Sequence, residues 1–257
     1  MNIPYTVERR EDTGLYNAKL GVWLFLASEV MLFGALFSSY ILLRVGADVG
    51  TWPRHWLDYK LGALNTVILI ISSVTNVIAW ANLKLGSFSK YRFYQSITMV
   101  CAVTFLGIKS YEYYGKFHHY TVTLKDGRIA DGHIQLQETT KDKLVLDGYW
   151  PASQAVVMDP PSKVEESKIE IETKDITEKH NYGPSRNNFA GLYFTMTGLH
   201  VLHIIGGILV IFAIWGPLSG MHKTDPDRYA NRVEVAGLFW SFVDLVWLFI
   251  FPTFYLL

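Results

Sequence analysis

Glu29, His200, His203 and Asp244 are ionisable residues that lie inside long apolar runs of the sequence. Side chains of these types can carry a proton or bind a metal ion. An ionisable group inside a bilayer costs at least about 2.5 kcal/mol, so each of the four needs a partner or a functional reason. Because His200 and His203 are three residues apart, they are expected to share one helix face.

The two histidines allow a metal or haem interpretation, which their surroundings do not favour. Zinc needs three or four ligands, and Glu29 is the one obvious carboxylate candidate at the same depth. Haem ligands usually come from facing helices, whereas His200 and His203 lie on one helix. We therefore predict no metal site and expect the histidines to contact Glu29, another helix or a lipid headgroup. A haem-binding membrane anchor remains an alternative of a different class.

Three further charges have simpler interpretations. Lys109 and Glu112 lie near one end of an apolar run, from which long side chains can reach the membrane interface. Glu234 begins the last apolar run, where an acid favours a helix N-terminus. A small transporter that uses Glu29, the histidines and Asp244 is also conceivable. Transporters often show inverted repeats and broken helices, and neither is visible in this sequence.

The elements that position these residues are five apolar segments, at 20–44, 61–85, 92–114, 188–215 and 234–257. Each can span about 30 Å at about 1.5 Å per residue. We therefore predict an all-α membrane protein with five transmembrane helices in a bundle. The second segment is partly polar, which suits contact with other helices better than contact with lipid. The 257-residue chain has no formal net charge, which argues against a nucleic-acid partner.

Charge in the short flanks predicts the orientation. The first 19 residues and the 84–92 and 216–233 loops together hold nine Lys and Arg residues, whereas the 44–60 loop holds three. Because positively charged loops stay in the cytoplasm, the N-terminus is predicted to be cytoplasmic and the C-terminus extracytoplasmic. The predicted organisation is a cytoplasmic segment at 1–19, transmembrane helices 1–3 at 20–114, an extracytoplasmic insertion at 115–187 and helices 4–5 at 188–257.

The 115–187 insertion is predicted to be partly β and partly irregular. "YTVTLKDGRI" alternates apolar and polar residues and should turn at Asp126-Gly127, and "KLVLDGYW" contains a second Asp-Gly. Both patterns are strand and hairpin signals. The charged run at 160–179 is consistent with a mobile or partner-ordered segment. The insertion could equally pack on a neighbouring subunit or be an inert loop.

Five stretches, taken together and in order, resemble subunit III of the haem–copper cytochrome c oxidases. They are "WLFLASEVMLFGALFSSY", "LGALNTVILIISSVTNVIAWA", "TFLGIKSYEYY", "FTMTGLHVLHIIGGILV" and "EVAGLFWSFVDLVWLFIFPTFYL". Glu29 stands at the position of the family's buried glutamate. The fourth stretch matches the family's Thr-Gly-aromatic-His-x-x-His element, except that Leu199 replaces the aromatic residue.

The chain also departs from the family pattern. Full-length members have seven helices, and this chain lacks the first two, so it resembles the short, five-helix bacterial form. Ser241 and Ala230 stand where the family commonly has histidine, which puts headgroup contacts from those positions in doubt. The 115–187 insertion replaces a short loop.

The resemblance implies a non-redox subunit III of a haem–copper terminal oxidase in aerobic respiration. Such a subunit packs against oxidase subunits I and II, which hold haem a and copper, and it has no catalytic residues or cofactors of its own. It holds phospholipid and supports proton uptake and turnover stability. The residues expected to line the lipid cleft and support proton uptake are Glu29, His200, His203, Glu234 and Asp244.

The resemblance further implies a location in the bacterial plasma (inner) membrane. The equivalent subunit of a quinol oxidase, or of another respiratory supercomplex, is the close alternative. On this interpretation the 115–187 insertion is where a supercomplex partner would bind.

Overall fold

The computed structural model of the protein describes residues 17–48, 52–53, 56–158 and 167–256. The described chain is mostly helical. The long helices are α1 (Asn17–Val45), α2 (Tyr59–Lys84) and α3 (Phe88–His118), followed after a small sheet and the short helix α4 (Gln154–Met158) by α5 (Asn188–Trp215). The short helix α6 (Met221–Thr224) leads into α7 (Pro226–Phe251).

Four of these helical segments are long and apolar enough to cross a membrane, which makes this a multi-pass membrane protein by length and composition. They begin at Asn17, Tyr59, Asn188 and Pro226. The third predicted segment is helical as well, but α3 is not among the four. Its C-terminal part carries charged residues, including Lys109, Glu112 and Lys116, which lower its hydropathy.

Helix α7 begins eight residues earlier than predicted. The Asp225 carboxylate accepts a hydrogen bond from the Arg228 backbone N–H at 3.1 Å, and Pro226 occupies the first turn. An aspartate cap followed by proline is a strong start signal. Glu234 consequently lies in the interior of the helix, and its predicted place at a helix N-terminus is wrong.

The chain divides into two compact units, and residues 1–35, 60–106 and 198–257 contribute to the first. In this unit α2 buries polar side chains and exposes apolar ones. Asn65 and Ser72 are fully buried, whereas Val67 and Val74 are more than half exposed. This arrangement is the reverse of a soluble helix and suits a span that packs polar residues between helices. The predicted burial of the second segment's polar face is confirmed.

The second unit comprises residues 36–59 and 107–197 and contains one antiparallel sheet. Its strands are β1 (His119–Leu124), β2 (Ile129–Ile134), β3 (Lys143–Tyr149), β4 (Ser167–Glu172) and β5 (Ile176–Asn181), in the order β4-β3-β2-β1-β5.

This sheet is strongly curled, as its connections require. Strands β4 and β5 lie at opposite edges, yet only the 3₁₀ turn Thr173–Asp175 separates them in the chain. The edge strands of a flat five-stranded sheet are about 19 Å apart. Four residue steps reach at most about 14 Å, so the edges must bend towards each other. The enclosed face holds a buried apolar cluster that includes Val122, Ala130 and Leu146.

The predicted turn at Asp126-Gly127 connects β1 to β2. Gly127 has a φ of 82° and its N–H donates to the Leu124 carbonyl at 3.0 Å. The second Asp-Gly lies inside β3, so the strand signal there is right and the turn signal is wrong. Gly148 pairs with Gly132 on β2, and a Cβ on either would collide with the facing backbone. Glycine at this position therefore serves close strand approach.

The predicted mobile segment is in part ordered structure. Residues 167–172 and 176–181 form β4 and β5, so the prediction is wrong for 167–179, while 160–166 lie outside the described residues. Ile169 and Ile171 alternate with charged residues in β4 and enter the apolar cluster. Two isoleucines at strand spacing were enough to bury one face of a highly charged stretch.

Candidate functional site

Glu29 on α1 contacts His203 on α5 within the first unit. The Glu29 Oε2 atom lies 2.9 Å from His203 Nε2, and both side chains are largely buried. The other ring nitrogen, Nδ1, lies 2.7 Å from the Leu199 carbonyl oxygen one helical turn earlier. Phe33 and Phe239 pack their rings against the imidazole. The sequence had left His200 and His203 as alternative partners of Glu29, and His203 makes the contact.

The carbonyl of Leu199 fixes how protons are distributed in this pair. A carbonyl can only accept, so His203 Nδ1 carries a hydrogen and donates it. The Nε2–Oε2 contact then needs one further proton, which sits either on His203 or on Glu29. The pair is a carboxylate with an imidazolium in the first case and two neutral groups in the second. Both forms have no net charge, which is the condition for tolerating such a pair inside a membrane.

His200 occupies a different environment from His203. Its ring lies 5.3 Å from the Trp247 ring and 5.7 Å from the Phe105 ring, measured between centroids, and the residue is almost fully buried. The predicted common helix face does not bring the two histidines to a common partner. His200 is therefore part of the aromatic interior of α3, α5 and α7.

Glu234 on α7 binds Lys19 at the start of α1, with Lys19 Nζ 2.7 Å from Glu234 Oε1. Beside Glu234 is a cavity of about 260 Å³ between α2 and α7, which extends to Ser241 and has Trp80 in its wall. From Glu234 to Ser241 a helix rises about 10 Å. The cavity thus has a charged end at Glu234 and a mostly apolar wall.

Asp244 is buried on α7. Ser73 on α2 is close enough to influence its carboxyl group, although neither carboxyl oxygen has a well-formed hydrogen bond among the described residues. The structure therefore does not bring Asp244 into contact with the Glu29–His203 pair.

Two observations bear on the haem and metal alternative. Both nitrogens of His203 are engaged, one with Leu199 and one with Glu29. In the part of the chain that the structure describes, no three His, Cys, Asp or Glu side chains are grouped as a metal site requires.

The second unit contains a buried ionic ring that the sequence did not predict. Lys109 Nζ lies 3.0 Å from Glu112 Oε2 and 3.0 Å from the Tyr193 hydroxyl, which donates to Glu112 Oε1 at 2.8 Å. Lys109 and Glu112 are buried, so the prediction that they extend to the membrane interface is wrong. Their partner is distant in sequence, and no local pattern could have identified it.

A second polar node in this unit is centred on Asp131 of β2. Its carboxylate accepts hydrogen bonds from Thr121 at 2.6 Å and from Tyr182 at 3.1 Å, and lies 2.9 Å from His119 Nε2. Asp131 is buried and each oxygen has a partner. The node links β1 and β2 to the segment that follows β5. Its partners come from alternate positions of β1 and from beyond β5, which the strand pattern alone does not reveal.

Comparison with known proteins separates the long helices from the middle of the insertion. The sequence profile of the family described as cytochrome c oxidase subunit III matches residues 11–127 and 176–257. The matched ranges include the whole of α1, α2, α3, α5 and α7, and the internal unmatched range, 128–175, falls in the insertion. The Glu29–His203 pair, Glu234 and Asp244 all lie in matched ranges.

Individual relatives are also similar over most of the chain. Cytochrome c oxidase subunit 3 of Alkalihalophilus pseudofirmus is 27% identical, over 94% of this chain and 87% of its own length. The probable quinol oxidase subunit 3 of Staphylococcus saprophyticus is 24% identical, over 98% and 94%. Cytochrome bo(3) ubiquinol oxidase subunit 3 of Pseudomonas aeruginosa is 22% identical, over 94% and 85%. With most of the chain matched by the family profile, this protein belongs to the cytochrome c oxidase subunit III family.

Proposed function

We propose that this chain is the non-redox subunit III of a haem–copper terminal oxidase. It packs against oxidase subunits I and II, which hold haem a and copper, and contributes no catalytic residue or cofactor of its own. It holds phospholipid and supports proton uptake and turnover stability. Membership of the subunit III family supports this role, and so does the match of all five long helices.

The proposed arrangement has five transmembrane helices, with α3 as the third despite its charged end. The Lys109–Glu112 pair supports the inclusion of α3, because a buried and neutralised pair costs much less in a membrane than separate charges. The N-terminus is cytoplasmic, and the C-terminus and the 115–187 insertion are extracytoplasmic. The membrane is the bacterial plasma membrane.

The Glu29–His203 pair carries the functional part of the proposal. Its one shared proton can rest on either group without changing the net charge, so the pair can hold a proton at its depth in the membrane at little electrostatic cost. The cavity beside Glu234 supports phospholipid binding, since it joins a charged end to an apolar wall. His200 and Asp244 are assigned supporting places in the same bundle.

The decisive variant is Glu29→Gln in the assembled oxidase. Glutamine keeps the shape and can donate to His203 Nε2, but it removes the acid. We expect normal assembly, initial turnover close to wild type and a several-fold shorter active lifetime during sustained turnover. Turnover lifetime, phospholipid content and the haem a content of the purified complex are measured together.

Ser28→Ala is the matched control, because Ser28 is exposed on the same helix and its hydroxyl donates to the Phe25 carbonyl of that helix. It should behave as wild type. Glu29→Gln with unchanged lifetime, lipid content and assembly would refute the proposed role of the pair.

The electron donor has two candidates, because relatives named as cytochrome c oxidase and as quinol oxidase subunits are similarly related to this chain. We favour cytochrome c. Purification of the tagged chain in mild detergent, with reduced-minus-oxidised spectra and assays with both donors, tests this choice. Haem a bands and a copper-containing partner support the proposal, whereas a chain isolated alone with haem b supports the haem-anchor alternative.

A further inference from the structure

A small internal cavity lies between α2, α3, α5 and α7 in the first unit. Its volume of about 10 Å³ is close to the space that one water molecule needs. Three polar residues and four apolar residues form its wall. The polar ones are Asn76, Tyr91 and Gln95, and the apolar ones are Ile211, Ile214, Val233 and Ala236.

Gln95 has an unmet hydrogen-bonding group at this cavity. The residue is 2% exposed, and its Oε1 atom has no hydrogen-bond partner among the described residues. Its amide nitrogen donates to Asn76 Oδ1 over a long 3.4 Å. A buried acceptor without a partner costs about 1–3 kcal/mol. Native interiors usually remove this cost with an ordered water.

Asn76 and Tyr91 can complete the coordination of such a water. Asn76 Nδ2 reaches the Gly237 carbonyl over 3.4 Å, and its second amide hydrogen is not used in that contact. Tyr229 has one hydroxyl hydrogen for two neighbours, the Ile214 carbonyl at 3.0 Å and the Tyr91 hydroxyl at 3.2 Å. The Tyr91 hydroxyl oxygen accepts the Tyr229 contact and keeps a second lone pair with which to accept from a water.

We propose that this cavity is a binding site for one ordered water molecule. The water donates to Gln95 Oε1 and to the Tyr91 hydroxyl oxygen, and it accepts from the Asn76 amide. Three hydrogen bonds is the usual number for a buried water. The site joins α2 to α3 where the direct contact between the Gln95 and Asn76 amides is a long 3.4 Å. The proposal is independent of the function proposed above.

The site continues a set of polar contacts between the same helices. Thr75, next to Asn76, shares a 2.8 Å contact with Thr98, one turn from Gln95. The Trp240 indole on α7 donates to the Ser72 hydroxyl at 2.7 Å. The water therefore adds to a row of buried polar contacts that determines how α2, α3 and α7 pack. Inside a membrane, where lipid is as apolar as the side chains, such polar contacts specify which helix faces meet.

A high-resolution electron cryomicroscopy map of the assembled oxidase tests this inference. We expect a discrete peak at about 2.7–3.2 Å from Gln95 Oε1. Gln95→Met should lose the peak, because it removes the acceptor and keeps the side-chain length. Ser96→Ala should retain it, since Ser96 is the exposed neighbour whose hydroxyl bonds the Arg92 carbonyl.

Each other outcome overturns the inference. A wild-type map that resolves other buried waters but shows no peak here refutes it, whether or not the variants assemble. A peak that persists in Gln95→Met refutes the proposed coordination. A peak with oxygen distances of about 2.3–2.4 Å would identify a bound cation in place of water.

Discussion

At the scale of single residues, the most consequential contacts are buried charges whose cost is offset by a partner. Lys109 and Glu112 are the clearest case, because both are buried and both also contact Tyr193. Glu29 and His203 are a second such contact, on α1 and α5, in which the imidazole can also become neutral. Removing Lys109 or Glu112 alone leaves an uncompensated charge, which is costlier than removing the whole set.

This difference gives a prediction for the second unit. Lys109→Met alone should lower the free energy of unfolding by about 3–5 kcal/mol, because the buried Glu112 carboxylate loses its ammonium partner. The triple variant Lys109→Met, Glu112→Met, Tyr193→Phe should recover most of that loss. Thermal unfolding of the purified oxidase, followed through release of this subunit, measures both.

The exposed pair Lys143–Glu170 provides the control. Lys143→Met should change the stability far less than Lys109→Met, because solvent screens surface pairs. A triple variant as unstable as Lys109→Met, or less stable, would contradict the compensation argument.

His133 on β2 gives a pH prediction outside the membrane. Partial burial lowers the pKa of His133, and His119 and Lys116 lower it further, whereas Asp131 and Asp147 act in the opposite direction. The unfolded chain therefore binds this proton more readily than the folded chain. Stability should be fully present above the ordinary histidine pKa and should fall as the pH drops through the lowered one.

Acidification should thus destabilise the sheet, and His133→Gln should reduce that dependence. The effect should stay below about 1 kcal/mol, because the ring is partly exposed and screened. Hydrogen exchange of β1 and β2 amides at pH 7 and pH 5 measures it. An unchanged pH dependence in His133→Gln would show that another group is responsible.

At the scale of elements, the Gly132–Gly148 pair sets how closely β2 and β3 approach. A Cβ on Gly132 would collide with the Asp147 carbonyl, and one on Gly148 with the Asp131 carbonyl. Because backbone atoms cannot move aside as side chains can, Gly132→Ala should disrupt this strand pair and destabilise the sheet by more than 1–2 kcal/mol, the order of a typical point mutation. Limited proteolysis between β2 and β3 measures the loss.

Gly115→Ala is the matched control, because nothing lies near its Cβ position in the α3 helix. It should be neutral or stabilising by up to about 1 kcal/mol. Equal proteolytic sensitivity of Gly132→Ala and the control would contradict the close-approach argument.

Elements were predictable to the extent that a local pattern defines them. Apolar runs located α1, α2, α3 and α5 to within a few residues, and alternation with Asp126-Gly127 located the first hairpin. The predicted start of α7 was eight residues too late, because hydropathy does not detect a polar first turn. Asp225-Pro226 nevertheless carried the capping signal. Asp147-Gly148 was misassigned because the pair is equally suited to a turn and to a tight strand contact.

Contacts between distant segments were much less predictable. Tyr193 is 84 residues from Lys109, so no window of sequence pairs them. The sequence leaves His200 and His203 as candidate partners of Glu29, and only packing selects His203. The burial of Ile169 and Ile171 likewise depends on strands that lie far away in sequence.

At the scale of the whole molecule, the two ends of the inserted sheet lie next to each other. Tyr120 on β1 and Asn181 on β5 are paired strand neighbours, so their Cα atoms are about 5 Å apart. The sheet between them has its own apolar cluster. The family profile also omits residues 128–175, which lie between these two points. These three facts make the sheet a separable addition to the chain.

Replacing residues 122–179 by Asn-Gly should therefore leave a chain that still enters the membrane and joins the oxidase. Asn-Gly forms the two-residue turn that closes a hydrogen-bonded strand pair. Thr121 and His180 are such a pair, because the Tyr182 N–H donates to the His119 carbonyl two positions along the ladder. The replacement removes Asp131 and with it the bond to Tyr182, so a modest loss of stability is expected. Membrane content of the tagged chain and haem a per subunit in the purified complex measure the outcome.

A version with Asn-Gly replaced by Pro-Pro, which cannot form this turn, serves as the control and should assemble less well. If the Asn-Gly chain fails to join the oxidase while its membrane content is normal, the sheet is needed for assembly and is not a separable addition.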